Sequence, residues 1–131
     1  MDFSTIYNTY IYMIGAVVVG VKVVRTEKVM SEKEITNQIL RYLKTVPDCF
    51  CWKQHGSQYS TAGLPDVICC LQGRFVAFEV KTPTGKLTKL QDTMLHRIQR
   101  AKGYAFKVTS VNEVREIVKS LLLIGGQAHG E

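Results

Sequence analysis

The chain has 131 residues, one domain's worth, with room for a single core. At 46% hydrophobic and 21% charged residues it has the composition of a globular protein, which excludes long disorder. Seventeen Lys and Arg against eleven Asp and Glu give a net charge of +6, of which +5 falls on residues 30–131. That excess favours a polyanionic partner, because neutralising phosphates releases counterions.

From Phe3 to Val21 no residue is charged. The run approaches the length of a membrane span. Tyr7, Asn8, Thr9, Tyr10 and Tyr12 weaken its first half, however, Gly15 and Gly20 interrupt the second, and Lys22 ends it. Asp2 and the lack of a small-residue cleavage site argue against a secretory signal. Three readings stand: an extra strand or hairpin, given the β-branched content; a weak membrane anchor; or translation starting at Met30, where a clean domain begins. The last is favoured, and a membrane partner is disfavoured. The organisation expected is an apolar extension over 1–29, a domain over 30–124 and a frayed tail from 125 to 131.

Met30 to Leu43 reads as a helix, with Ser31 and Glu34 as a capping box and Ile35, Ile39, Leu40 and Leu43 as its apolar stripe. Cys49 to Lys53 reads as a strand, and Gln54 to Pro65 as a loop rich in Gly, Ser and Thr. Asp66 to Leu71 and Arg74 to Lys81, joined at Gln72-Gly73, read as a hairpin. Thr88 to Lys102 is expected to be a helix that buries Leu90, Met94, Leu95, Ile98 and Ala101 and stops at Gly103. A strand over Tyr104–Thr109 follows. A last helix, opened by Ser110 and Glu113, carries the stripe Val114, Ile117, Val118 and Leu121. The order α-β-β-β-α-β-α is that of an α/β domain, a mixed sheet flanked by helices.

Cys49, Cys51, Cys69 and Cys70 lack the paired C-x-x-C spacing of a zinc site and read as small buried hydrophobes in a reducing compartment. Trp52 is expected in the core, with base stacking the other reading for it and for Tyr59.

Three charged residues occupy costly places. Asp66 opens one apolar strand, and Glu79 and Lys81 close another. Alternation puts Glu79 and Lys81 on one face, and hairpin arms of equal length return Asp66 to the Glu79 end. Two carboxylates and an amine on one face suit a hard divalent cation such as Mg²⁺, which prefers oxygen ligands and keeps waters for substrate. The bland alternative is a strand-end salt-bridge cluster.

Pro65-Asp66 followed thirteen residues later by Glu79-Val80-Lys81 resembles the PD-(D/E)xK nuclease motif. Gly63-Leu64-Pro65-Asp66, Phe78-Glu79-Val80-Lys81-Thr82-Pro83, Gly85, Leu87 and Gln91 together resemble the virus-type replication-repair nuclease (VRR-NUC) domain over Glu32–Leu122. The resemblance implies a restriction-endonuclease-like α-β-β-β-α-β core and Mg²⁺ or Mn²⁺ held by Asp66, Glu79 and the Val80 carbonyl. It also implies Lys81 as the catalytic lysine, Gln91 reaching in from the following helix, and a glutamate from the first helix. For that glutamate Glu32 is chosen over Glu34, which already has a capping role. Lys53, Lys86 and Lys89 are expected to bind phosphate, and His55 is a weaker candidate for proton transfer.

The activity implied is a metal-dependent DNA endonuclease with no small-molecule cofactor. It would act as a homodimer on branched DNA such as four-way junctions, in the cytoplasm of a bacterium or a phage-infected cell. The alternative is a nucleic-acid-binding module without catalysis.

Overall fold

A computed structural model of the chain describes residues 9–14, 17–22 and 28–125. The expected frayed tail beyond Gly125 lies outside the described residues. Strands β1 (Thr9–Ile14) and β2 (Val17–Lys22) pair antiparallel as a separate two-stranded sheet. Among the described residues no helix is long and apolar enough to cross a membrane.

Helix α1 (Glu32–Leu43) starts at its cap. Ser31 Oγ accepts from the Glu34 N–H at 3.2 Å, and a Glu34 carboxylate oxygen accepts from the Ser31 N–H at 2.8 Å. Two of the donors that every helix N-terminus leaves unpaired are thereby satisfied. Four strands follow around the remaining helices: β3 (Cys49–Lys53), β4 (Val67–Leu71), β5 (Arg74–Val80) and, after α2 (Lys89–Arg100), β6 (Tyr104–Val108). Helix α3 (Val111–Gly125) closes the chain described. The sheet order is β3-β4-β5-β6, antiparallel for the first two pairings and parallel for β5–β6, whose connection needs the α2 crossover.

The β4–β5 turn places both central residues at positive φ, Gln72 at 48° and Gly73 at 79°. That is the twist-matched two-residue hairpin turn, and it sets the register Leu71↔Arg74 through Val67↔Phe78. Helix α2 ends with Lys102 at φ 71°, its N–H on Gln99 O and the Gly103 N–H on Ile98 O. The left-handed residue is thus Lys102, one before the glycine expected to stop the helix. Gly103 is required for closeness instead, since a Cβ there would lie 2.8 Å from Ile98 Cγ2.

Helices α1 and α3 share one face of the sheet. Ile35, Ile39 and Leu43 with Val114, Val118 and Leu121 bury Val67, Cys69, Leu71, Val76, Phe78, Val80 and Val108. On the other face α2 packs Leu95, with Leu87 and Ile98, onto Ile68, Ala77 and Ala105. This second face is only partly covered, which corrects several expectations. Leu90 is 49% exposed and Ala101 is exposed as well, so the buried face of α2 is narrower than its apolar stripe. Trp52 is 40% exposed rather than core. Of the four cysteines only Cys69 is buried. Cys70 alternates to the open face and is exposed, and Cys49 and Cys51 are half-buried at the edge strand.

Candidate functional site

The register carries Asp66 to Glu79. One step beyond the pair Val67↔Phe78, the two acids lie opposite each other at the ends of β4 and β5, on the face that α2 covers. An Asp66 carboxylate oxygen accepts the Val80 N–H at 2.8 Å, which locks its side chain across the strand end. The Lys81 N–H donates to Val108 O at 2.9 Å, tying the end of β5 to β6.

Glu79 is 2% exposed. One of its oxygens accepts from Gln91 Nε2 at 2.7 Å and lies 3.8 Å from Lys81 Nζ. The other, Oε2, is buried without a hydrogen-bond partner. Burial, and then the neighbouring Asp66 charge, push the Glu79 carboxyl up to about 8; Lys81 opposes this but does not overcome it. Burial disfavours the charged form, and a second acid alongside repels it, so both effects favour the protonated form of Glu79. A cation between them would remove the repulsion and give Oε2 a partner. The pair of carboxylates therefore fits a hard divalent ion that retains several waters. Among the described residues no group of three or more His, Cys, Asp or Glu side chains forms a fuller metal cage.

Gln91 is aimed by its own helix. It is the third residue of α2 and completes a capping box: Thr88 Oγ1 accepts from the Gln91 N–H, and Gln91 Oε1 accepts from the Thr88 N–H at 2.9 Å. With the amide oxygen so engaged, the amide nitrogen faces Glu79. Glu32, in the first turn of α1, lies on the opposite layer and reaches round the strand end. Its carboxylate is 3.9 Å from Lys81 Nζ. Glu34 is instead held by Ser31 and by Lys28 Nζ at 2.9 Å, contacts that hold its carboxyl down at about 2. The structure thus brings together Asp66, Glu79, Lys81, Gln91 and Glu32.

A cavity of about 520 Å³ opens on this cluster, lined by Asp66, Glu79, Gln91 and the loop from Gln54 to Leu64, His55 included. Gly63 lets the loop close on α2. It sits at φ 78°, and a Cβ there would fall 2.7 Å from Leu90 Cγ. The polar loop composition was visible in the sequence. Its folding back to wall the acids was not, because nothing local says where a loop lies.

Lys53, Lys86 and Lys89 do not line the cavity. Lys53 falls on the α1 side, opposite Val67, while Lys86 and Lys89 are exposed beside the N-terminus of α2. Sequence reasoning missed Lys107. It is the register partner of Glu79 on β6, on the same face, and is exposed. Its only sequence signal is a cation alternating with Ala105 in a strand that otherwise reads as apolar.

The sequence matches no protein-family model and no curated protein. Solved structures do match. One, named "VRR_NUC domain protein", superposes with a TM-score of 0.60 at 16% identity, over 70% of this chain and 88% of that one. Another, named "VRR_NUC domain", gives a TM-score of 0.50 at 20% identity, over 67% and 90% respectively. The mixed four-stranded sheet between helices is therefore the fold of the VRR_NUC domain, and the α/β restriction-endonuclease-like architecture expected from the sequence is present.

Proposed function

We propose that this chain, which has the fold of a VRR_NUC domain, is a metal-dependent nuclease that hydrolyses phosphodiester bonds in DNA. One observation carries the reading: buried Glu79, beside Asp66 and within 3.8 Å of Lys81 Nζ, has an oxygen with no partner at the edge of an open cavity. A purely structural salt bridge would not bury a carboxyl beside a second acid with only one of its oxygens held in a hydrogen bond.

Asp66, Glu79 and the Val80 carbonyl are the groups that would hold Mg²⁺ or Mn²⁺. When bound, such an ion acidifies water and stabilises charge on a phosphate. Every other contribution comes from the chain itself. Lys81 Nζ, 3.8 Å from the Glu79 carboxyl, is the cation that stabilises the negative charge growing on the phosphoryl oxygens as the water O–P bond forms and the P–O bond to the leaving oxygen breaks. Gln91 fixes the rotamer of Glu79. Glu32 restrains Lys81 by charge and leaves the ammonium free to turn toward substrate, since 3.9 Å is longer than a hydrogen bond. His55, in the loop wall, is available to carry a proton between cavity and solvent. Lys107, on the Glu79 face, and Lys86 and Lys89, exposed at the start of α2, are phosphate-binding candidates, and Lys53 is one on the sequence reading alone.

In finer detail, the proposed activity is endonucleolytic cutting of branched DNA such as four-way junctions. It would be performed by a homodimer in bacterial or phage DNA replication or repair, in the cytoplasm. The sequence resemblance supports this part.

The test is cleavage of a labelled panel of single-stranded, duplex, flap and four-way-junction DNA with EDTA, Mg²⁺ or Mn²⁺. The wild type is compared with Asp66→Ala and Lys81→Ala. Metal-dependent cutting that both substitutions abolish is expected. A folded wild type that cuts no member of the panel with any metal overturns the catalytic reading and leaves a binding module.

A further inference from the structure

The half of the sheet that α2 leaves open carries an aromatic strip. Phe50, Cys70 and Phe75 form one cross-strand row, and Trp52 stands beside Ile68 in the next row toward the acids. Phe50 is 71% exposed, Phe75 45% and Trp52 40%. The rings of Phe50 and Trp52 are 5.8 Å apart and tilted by 43°. There is no charged residue among these positions. An apolar patch of this kind in a small domain marks a binding surface.

Position decides the occupant. Trp52 pairs with Ile68, which lies two residues, about 7 Å, along β4 from Asp66. Trp52 Nε1 also approaches Gln54 Oε1 at 3.4 Å, and Gln54 lines the cavity over the acids. Strip and cavity are therefore one continuous surface on one face of one sheet. At its far end the strip meets the C-terminus of α2, where a Cβ on Gly103 would lie 3.3 Å from Phe75 Cδ1. The same stretch carries Arg97, Arg100 and Lys102, all exposed. Flat rings flanked by cations match an unpaired nucleic-acid strand, whose bases stack while its phosphates pair. A continuous duplex keeps its bases inside and offers rings nothing to stack on.

We propose that Phe50, Trp52 and Phe75 form a stacking platform for the unpaired bases of a single DNA strand whose phosphate backbone leads into the Asp66–Glu79 cavity. The proposal rests on the nuclease reading and narrows it: among branched DNAs, one with a single-stranded arm next to the cut, such as a flap, is preferred over a fully paired four-way junction.

Trp52 is the chain's one tryptophan, so its fluorescence reports the platform directly. The full chain is titrated in EDTA, where nothing is cut, with oligothymidylate and with a duplex of equal length. Saturable quenching by the single strand and little by the duplex is expected. Phe50→Ala should weaken single-strand binding about tenfold with an unchanged urea midpoint. By anisotropy of labelled DNA, Trp52→Ala should do the same and Trp52→Phe should restore most of the loss.

Equal quenching by duplex, or full single-strand affinity in both alanine variants, overturns the platform. So does a Trp52 shielded from acrylamide in the DNA-free protein, because the face is then already covered by another segment or a second copy. Cleavage without quenching sinks the platform and spares the nuclease. Quenching without cleavage does the reverse.

Discussion

The two faces of the sheet obey different rules. The face under α1 and α3 is closed: Val67, Leu71, Val76, Phe78, Val80 and Val108 are all at 0% exposure. The face under α2 is half open and holds both the buried acid, Glu79, and the exposed rings of Phe50 and Trp52. Width explains the difference. A helix is about 10 Å across and strands are spaced about 4.8 Å, so one helix covers roughly two strands and two helices cover four. Stability resides on the face with two helices. The face with one has room for a ligand, and polar groups collect where it opens.

The sharpest way to break this contrast is to remove one phenylalanine from each face. Phe78→Ala should destabilise the fold by about 4 kcal/mol through the cavity it leaves, read as a lowered urea midpoint. Phe50→Ala should stay within about 0.5 kcal/mol of wild type. Equal losses would mean that both faces are closed.

Next in size is Lys81→Met. It should lower the rate of metal-dependent cleavage by about two to three orders of magnitude, as loss of a positioned transition-state cation does, measured in single-turnover kinetics. A loss below tenfold would take Lys81 out of the chemistry.

The Glu79 carboxyl, pushed up to about 8, gives a third test. The folded metal-free protein holds a proton that the unfolded chain releases in the ordinary carboxylate range. The contribution of Glu79 to stability is therefore fully present below that range and is lost as pH rises toward 8. Thermal melts in EDTA should show this decline, Glu79→Gln should flatten it, and Mg²⁺ or Mn²⁺ should raise the melting temperature most at the alkaline end. A melting temperature that ignores both pH and metal would remove the repelling pair from the account.

Smaller effects complete the comparison. Ser31→Ala should cost about 1 kcal/mol of stability through the lost cap, with cleavage unchanged once the protein is folded. Lys107→Ala should leave stability alone. It should raise the apparent Kd for DNA several-fold and reduce its salt dependence by about one phosphate contact, measured in a salt titration.

Much of this was legible before any coordinates. The capping box of Ser31, the hairpin turn and the meeting of Asp66 with Glu79 all follow from residues close in sequence or joined by one tight turn. The choice of Glu32 over Glu34 also came from such local logic, since a carboxylate committed to a cap is not free elsewhere. Trp52, Cys70 and Leu90 were misplaced for the opposite reason. Each is apolar and correctly assigned to its element, but its burial depends on whether a distant helix lies over it.

The sequence by itself determined the elements of the domain, the hairpin of β4 and β5, and the meeting of the acids at its open end. Period-two alternation, caps and turns are properties of consecutive residues. Only the tertiary structure decided that the 54–64 loop walls the acids, that Lys107 stands beside Glu79, and that an aromatic strip stays bare. Those outcomes depend on how many helices pack on each face, and helix packing joins residues that no local pattern connects.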